Sequence, residues 1–362
     1  MRNPPKHLEK RRKRRPLTGL LLAVSLLELA VIVYLLLPSG QGRAETAAPP
    51  AEAEPLRWEQ PMDQPQLPAV SQLNVSVLPA AKAPSESDQD AEETEEPAVQ
   101  EKTKPAGELS AAEILSNSQL VAHGMGSIGG LTTPNCVESF LAQYEAGIRV
   151  FEVDLRLTRD AKNVLRHDWW NASWQSGIDW ARIPTRDKFL SEKILDKYTP
   201  LSFRDLLQLM EVYPDVCVIT DTKFTESDVF TIQFDSMLAD ARELGLTYLF
   251  DRIAIQVYSG NMRTGLHNIY PFPHYIYTLY QDEDFTGTKD SFRERAAYCA
   301  KHGIKGIAID QHWWNPAFAS IADEYGIQLY VHTVNDAAAA KKLLDAGCDA
   351  VYTDSLTPAQ LS

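Results

Sequence analysis

The chain has 362 residues, 44% of them apolar, and a formal net charge of −14. That length holds one large domain or two average ones. The acidic balance argues against unaided attraction of polyanions, and four dispersed cysteines with no CxxC make no disulfide framework. The charge is unevenly placed: residues 1–16 carry eight Lys or Arg against one acid, so the remainder sums to −21.

Residues 17–37 follow that basic arm and are apolar almost throughout. As a helix they would extend roughly 32 Å, about one hydrocarbon thickness. The flank Arg11-Arg12-Lys13-Arg14-Arg15 predicts a cytoplasmic N-terminus by the positive-inside bias. The run is longer than the core of a cleaved signal peptide and lacks a small-x-small site after Leu37, so residues 17–38 are expected to be an uncleaved anchor. Glu28 is the one acid within it. Everything beyond then lies outside the cytoplasm. Residues 39–108 read as a disordered acidic linker: residues 44–108 hold fourteen acids, four bases, ten prolines and one glycine. Such a stretch cannot bury enough apolar surface to order itself.

From residue 109 to 362 the composition is that of a globular domain, with a net charge of −11. Short β-branched runs alternate there with amphipathic stretches. Strands are predicted near Leu120–His123, Val150–Leu155, Val216–Thr222, Ile253–Val257, Tyr275–Leu279, Gly306–Asp310, Leu329–Thr333 and Ala350–Thr353, with an additional short one at Val164–His167. Helices are predicted at 136–147, 202–213, 227–244, 288–302, 315–325 and 336–346. Eight strand–helix repeats over about 250 residues predict an α/β fold of the TIM (β/α)8 barrel type. The C-terminal strand ends share one face of such a barrel. Here those ends carry His123, Glu152, Asp154, Asp221, Lys223, Tyr258, Asp310, His332, Asn335 and Asp354, whereas the strand interiors are apolar.

Glu152 and Asp154 are two apart in a strand and point the same way. Two such carboxylates repel unless a cation lies between them. Asp221 supplies a third hard oxygen, a set suited to Mg²⁺ or Ca²⁺ rather than zinc. His123 and His167 end strand segments on either side of the acidic pair and are the candidate general acid and base for cleaving a phosphate ester. Which is which stays open. Lys223 faces the same side as a candidate ligand for a phosphate oxygen. Trp169 and Trp313 follow strand ends as candidate walls of a substrate cleft. His267, His274, His302 and His312 lack this context and read as structural. Residues 124–129 spell GxGxxG, but five residues intervene before a helix, which argues against a dinucleotide fingerprint. All four cysteines read as buried free thiols.

With those residues placed, the region from about Gln119 to Pro358 resembles the glycerophosphodiester phosphodiesterases, within the superfamily that includes the phosphatidylinositol-specific phospholipases C. The matching signatures are His123 with the later Asn135 and Phe140, then Glu152-Val153-Asp154, Thr158-Arg159-Asp160 and His167-Asp168. They continue with Asp221-Thr222-Lys223, Thr333-Val334-Asn335-Asp336 and Thr353-Asp354. The resemblance implies a barrel in which the two histidines are the acid–base pair and the three acids bind the metal. Three positions depart from the pattern: Gly124 where the family has a phosphate-binding arginine, Pro134 where it has a glutamate, and Asp221 where the third metal acid is commonly glutamate. The expectation is a membrane-anchored, extracytoplasmic, metal-dependent phosphodiesterase. Its expected substrates are glycerophosphodiesters, phospholipid headgroups or envelope glycerol-phosphate polymers, and no nucleic-acid partner is expected. The alternatives are a non-catalytic envelope-binding module on a degenerate barrel, or a phospholipase C/D-like lipid phosphodiesterase.

Overall fold

The computed structural model describes residues 100–169, 174–179 and 182–361. The basic arm, the expected anchor at 17–38 and the linker up to residue 99 lie outside them. Nine strands follow in chain order: β1 (Leu120–Ala122), β2 (Val150–Leu157), β3 (Asn163–Leu165), β4 (Cys217–Asp221), β5 (Ile253–Val257), β6 (His274–Thr278), β7 (Gly306–Asp310), β8 (Gln328–His332) and β9 (Ala350–Thr353). All except β3 run parallel, and β1 pairs with both β2 and β9, so eight strands close into a barrel. β3 is the exception. It folds back antiparallel on β2, with Leu155 opposite Leu165, and ends at Leu165, two residues before the predicted end at His167.

The side-chain period of two explains the barrel's content. Val121, Val150, Cys217, Ile219, Ala254, Ile276, Ala308, Tyr330, Ala350 and Tyr352 form one buried interior cluster. Their alternates, such as Phe151, Val153, Val218, Ile255 and Ile307, join the larger layer between strands and helices. That outer layer comprises α2 (Val137–Glu145), α4 (Phe203–Val212), α5 (Ser227–Leu244), α6 (Gly260–Ile269), α7 (Lys289–Lys301), α8 (Pro316–Tyr325) and α9 (Ala337–Asp345). Two short helices complete the set among the described residues, α1 (Ala111–Ser116) and α3 (Arg186–Leu190). Caps fix several starts: the Ser202 side chain accepts from Asp205 N–H while the Asp205 side chain reaches back to the Ser202 backbone. Gly245 and Gly326 close α5 and α8 in the left-handed conformation.

Besides α3, which was not predicted, three further segments depart from the sequence reading. α1 was not predicted: Ala111, Ile114 and Leu115 belong to the same cluster as the barrel interior, so this six-residue helix plugs the end opposite the polar strand ends. α6 carries two glycines and a weak pattern. It is held by its Ser259 cap and by buried Met262 and Leu266, and Gly265 lies where a Cβ would stand 2.9 Å from the Phe230 ring. Residues 100–108, assigned to the disordered linker, lie against the barrel. Lys102 N–H donates to the Gly245 carbonyl (2.8 Å), and Glu108 pairs with Arg252, both side chains almost fully buried. An acidic, proline-bearing stretch orders here because Arg252 gives its carboxylate a partner that local composition cannot reveal. The four cysteines are free and buried.

Candidate active site

Glu152 and Asp154 stand on β2 and Asp221 on β4, with Asp154 directly opposite Asp221 in the parallel register. Period two turns all three inward, and their carboxylate oxygens lie within 4.8 Å of one another, all buried. Lys223, in the left-handed conformation just past β4, places its ammonium 2.7 Å from Asp154 Oδ1 and also on Asp221. One ammonium faces three carboxylates. Burial and the Asp154 charge push the Glu152 carboxyl well above the usual range. Burial would raise Asp154 too, but Lys223 outweighs it and holds that carboxyl low. The donor set therefore fits a hard divalent cation: three clustered hard oxygens, incompletely neutralised, in a site that disfavours their charge.

The surroundings orient these acids. Gly124 N–H donates to Glu152 Oε2 (2.7 Å); Asn135 donates to Asp154 Oδ2 through Nδ2 (2.8 Å) and accepts from Asp154 N–H (3.0 Å). Tyr258 and Tyr280 both donate to Asp221. Asn135 belonged to the matching signature but had no role assigned from sequence. No local pattern marked Tyr280.

His123 begins a single 3-10 turn at the end of β1, where its Nδ1 hydrogen-bonds Asp354 Oδ1 (2.8 Å) across the barrel seam from β9. Burial alone would lower this imidazole, but the Asp354 bond and the Glu152 and Asp154 charges raise it to about 9. His167 lies two residues past β3, its Nδ1 on Asp168 Oδ2 (3.0 Å) and its carbonyl accepting from Arg156 Nε (3.0 Å). The preceding Arg166 N–H donates to the Asp154 carbonyl (2.9 Å), which brings this segment alongside the acid-bearing strand, although His167 itself does not line the cavity described below. Each imidazole thus carries its proton on Nδ1 toward a carboxylate and keeps Nε2 for another partner. Asp354 was visible as a strand-end acid, but its pairing with a residue 231 positions earlier appears only when the barrel closes.

A cavity of about 170 Å³ opens at this face, lined by His123, Glu152, Asp221, Lys223, Gln256, Thr278, Tyr280, His332, Thr333 and Tyr352. Trp169 and Trp313 are not part of this wall. Trp169 packs edge-on against Phe189 (6.0 Å between centroids) and Trp313 against Phe285 (4.8 Å). Gly124 sits at φ 51°, and a Cβ on it would lie 2.4 Å from Thr133 Cβ. The turn that aims its N–H at Glu152 leaves no room for the arginine seen at this position in the family pattern.

A parallel barrel with two aspartate-held imidazoles beside three acids is the architecture of a phosphodiester hydrolase, and similarity to known proteins agrees. The profile of the glycerophosphoryl diester phosphodiesterase family matches residues 128–357. No curated protein sequence matches the chain. A phosphodiesterase of Oleispira antarctica, solved with the product sn-glycerol-3-phosphate, is similar in structure, with a TM-score of 0.54 and 18% identity over 68% of this chain and 96% of that one. A glycerophosphodiester phosphodiesterase of Parabacteroides distasonis has a TM-score of 0.52 and 17% identity, over 66% and 93%. One of Agrobacterium tumefaciens has 0.50 and 16%, over 67% and 98%. At those identities the structures speak to the fold alone. The family match, covering more than half of the chain, decides membership: this chain belongs to the glycerophosphoryl diester phosphodiesterase family of phosphoric diester hydrolases.

Proposed function

We propose that the chain hydrolyses glycerophosphodiesters, using His123 and His167 as the acid–base pair. The observation that carries this reading is the pair of imidazoles, each fixed through Nδ1 by its own aspartate beside a buried three-acid cluster. One imidazole accepts a proton from the attacking water as the new P–O bond forms. The other donates to the departing alkoxide as the old P–O bond breaks. Asp354 and Asp168 hold the rings in the tautomer that leaves Nε2 for this exchange. Glu152, Asp154 and Asp221 would hold Mg²⁺ or Ca²⁺, which supplies charge stabilisation at a phosphoryl oxygen. Lys223 is positioned to share a phosphate oxygen. In a domain of net charge −11, such local positive charge is what admits an anionic diester.

The setting proposed for this reaction is the outer surface of a membrane. Residues 1–16 would be cytoplasmic, 17–38 the anchor, and the barrel extracytoplasmic; the basic flank and the apolar run support it. The test is hydrolysis of glycerophosphodiesters by the full-length protein, with and without chelator. The expected result is turnover abolished by chelation, restored by one divalent cation, and reduced about 10²–10⁴-fold by His167→Ala. Turnover indifferent to both treatments would sink the assignment.

A further inference from the structure

A second polar cluster lies away from the catalytic cavity, where α5 packs against the hairpin of β2 and β3. Asn163 of β3 donates through Nδ2 to the Gln233 carbonyl of α5 (2.8 Å), and Gln233 donates through Nε2 to the Leu155 carbonyl of β2 (3.3 Å). Each carboxamide gives an N–H to a backbone acceptor, which fixes its orientation and leaves its oxygen over. Ser236 and Asp240 stand three and seven residues beyond Gln233, on the same helix face. Asn163, Gln233 and Asp240 are at most 1% exposed. Asn163 Oδ1, Gln233 Oε1, Ser236 Oγ and both Asp240 carboxylate oxygens are buried, and none has a hydrogen-bond partner among the described residues. With the carboxylate ionised, four of the five can only accept. Buried acceptors are ordinarily satisfied, so this flank of α5 calls for a partner that brings positive charge.

The nearest basic groups do not supply it. Burial disfavours the Asp240 charge, and Lys162, Arg186 and Arg204 offset this from a distance, against Glu243. Arg186 pairs with Asp187 (3.4 Å) and Arg204 with Glu243 (2.7 Å), and no ion pair reaches Asp240 among the described residues. A water would bring two protons to five oxygens, and it needs a void of its own size, which none of these atoms faces. A hard cation binds oxygen at about 2.3–2.6 Å, inside the ~2.8 Å of a hydrogen bond, and takes several acceptors at once. One carboxylate among neutral oxygens, with three basic groups in the vicinity, balances a single positive charge and not two.

We infer that Asn163, Gln233, Ser236 and Asp240 form a structural site for a small monovalent cation, Na⁺, which fastens α5 to the β2–β3 hairpin. None of these residues lines the catalytic cavity or belongs to the three-acid cluster. The site stands whether or not the chain hydrolyses phosphodiesters.

The experiment is a thermal melt of the full-length protein in chelator, which removes divalent cations, at equal ionic strength of sodium chloride or tetramethylammonium chloride. Na⁺ should raise the wild-type midpoint by about 2–4 °C or more over tetramethylammonium, which is too large for such a site. Asp240→Asn and Ser236→Ala should each lose most of that difference. Ser236→Ala removes a single atom, so it keeps the test decisive if Asp240→Asn fails to fold. Glu152→Gln, at the catalytic cluster, should retain the difference. Equal wild-type midpoints in the two salts overturn the inference; that is the result expected if Asp240 instead carries a proton and shares it with a neighbouring oxygen. So does a difference that survives both replacements on α5, or one that Glu152→Gln abolishes, since the ion would then sit elsewhere.

Discussion

At the scale of single residues, the site depends on carboxylates that hold other side chains. His123 can exchange a proton through Nε2 only while Asp354 holds its Nδ1–H. Asp354→Asn preserves the shape yet lets the ring take the other tautomer, so kcat should drop by about 10²–10⁴-fold with the fold intact. Steady-state kinetics beside a circular dichroism melt checks this, and unchanged kcat would remove Asp354 from the machinery. Gly124 shows the same dependence from the backbone. Its positive φ and its contact with Thr133 direct an N–H at Glu152 and leave no volume for a side chain. The sequence displayed both imidazoles and all three acids because strand ends follow from period and polarity. It did not assign Asn135, Tyr280 or Asp354 their roles, since each acts through a partner distant in the chain.

At the scale of elements, the segment 100–108 is the main revision. Glu108 and Arg252 are buried together, and the guanidinium also donates to the carbonyls of Met210 (2.7 Å), Val216 (2.8 Å) and Tyr213 (3.1 Å). Met210 lies in the last turn of α4, whose exposed carbonyls favour a cation. Removing one partner of such a pair leaves an uncompensated buried charge. Glu108→Ala should therefore destabilise the domain by about 3–5 kcal/mol, measured by urea denaturation. A loss below about 1 kcal/mol would show the segment to be dispensable. The periodic helices α2, α4, α5, α7, α8 and α9 were legible to within a residue or two. α1, α3 and α6 were not: α1 is a single buried plug, α3 is five residues long, and α6 is glycine-bearing and decided by packing.

At the scale of the whole molecule, three acids converging at one end of the barrel couple stability to pH and to metal. His123 is raised from 6.5 to about 9, so its protonated form contributes stability that is full below pH 6.5 and lost as the pH rises through 9. Glu152 is likewise raised and acts in the same direction. The chelated protein should therefore melt at progressively lower temperature from pH 6.5 to 9. Mg²⁺ or Ca²⁺ at a hundred times its dissociation constant should add about 2.7 kcal/mol. Scanning calorimetry across that range checks both. A flat profile with no cation effect would argue against a metal held by Glu152, Asp154 and Asp221.

The sequence alone determined which segments are strands and which are the main helices, and the polarity of the strand ends, because a period of two and a period near 3.6 are local properties of the chain. It also marked the catalytic candidates, which stand at the ends of those periods. Tertiary structure decided who holds whom: Asp354 on His123 across the closing seam, and Glu108 on Arg252. Those contacts join residues tens to hundreds of positions apart. They exist only because eight strands close into a ring, and no local pattern encodes that closure.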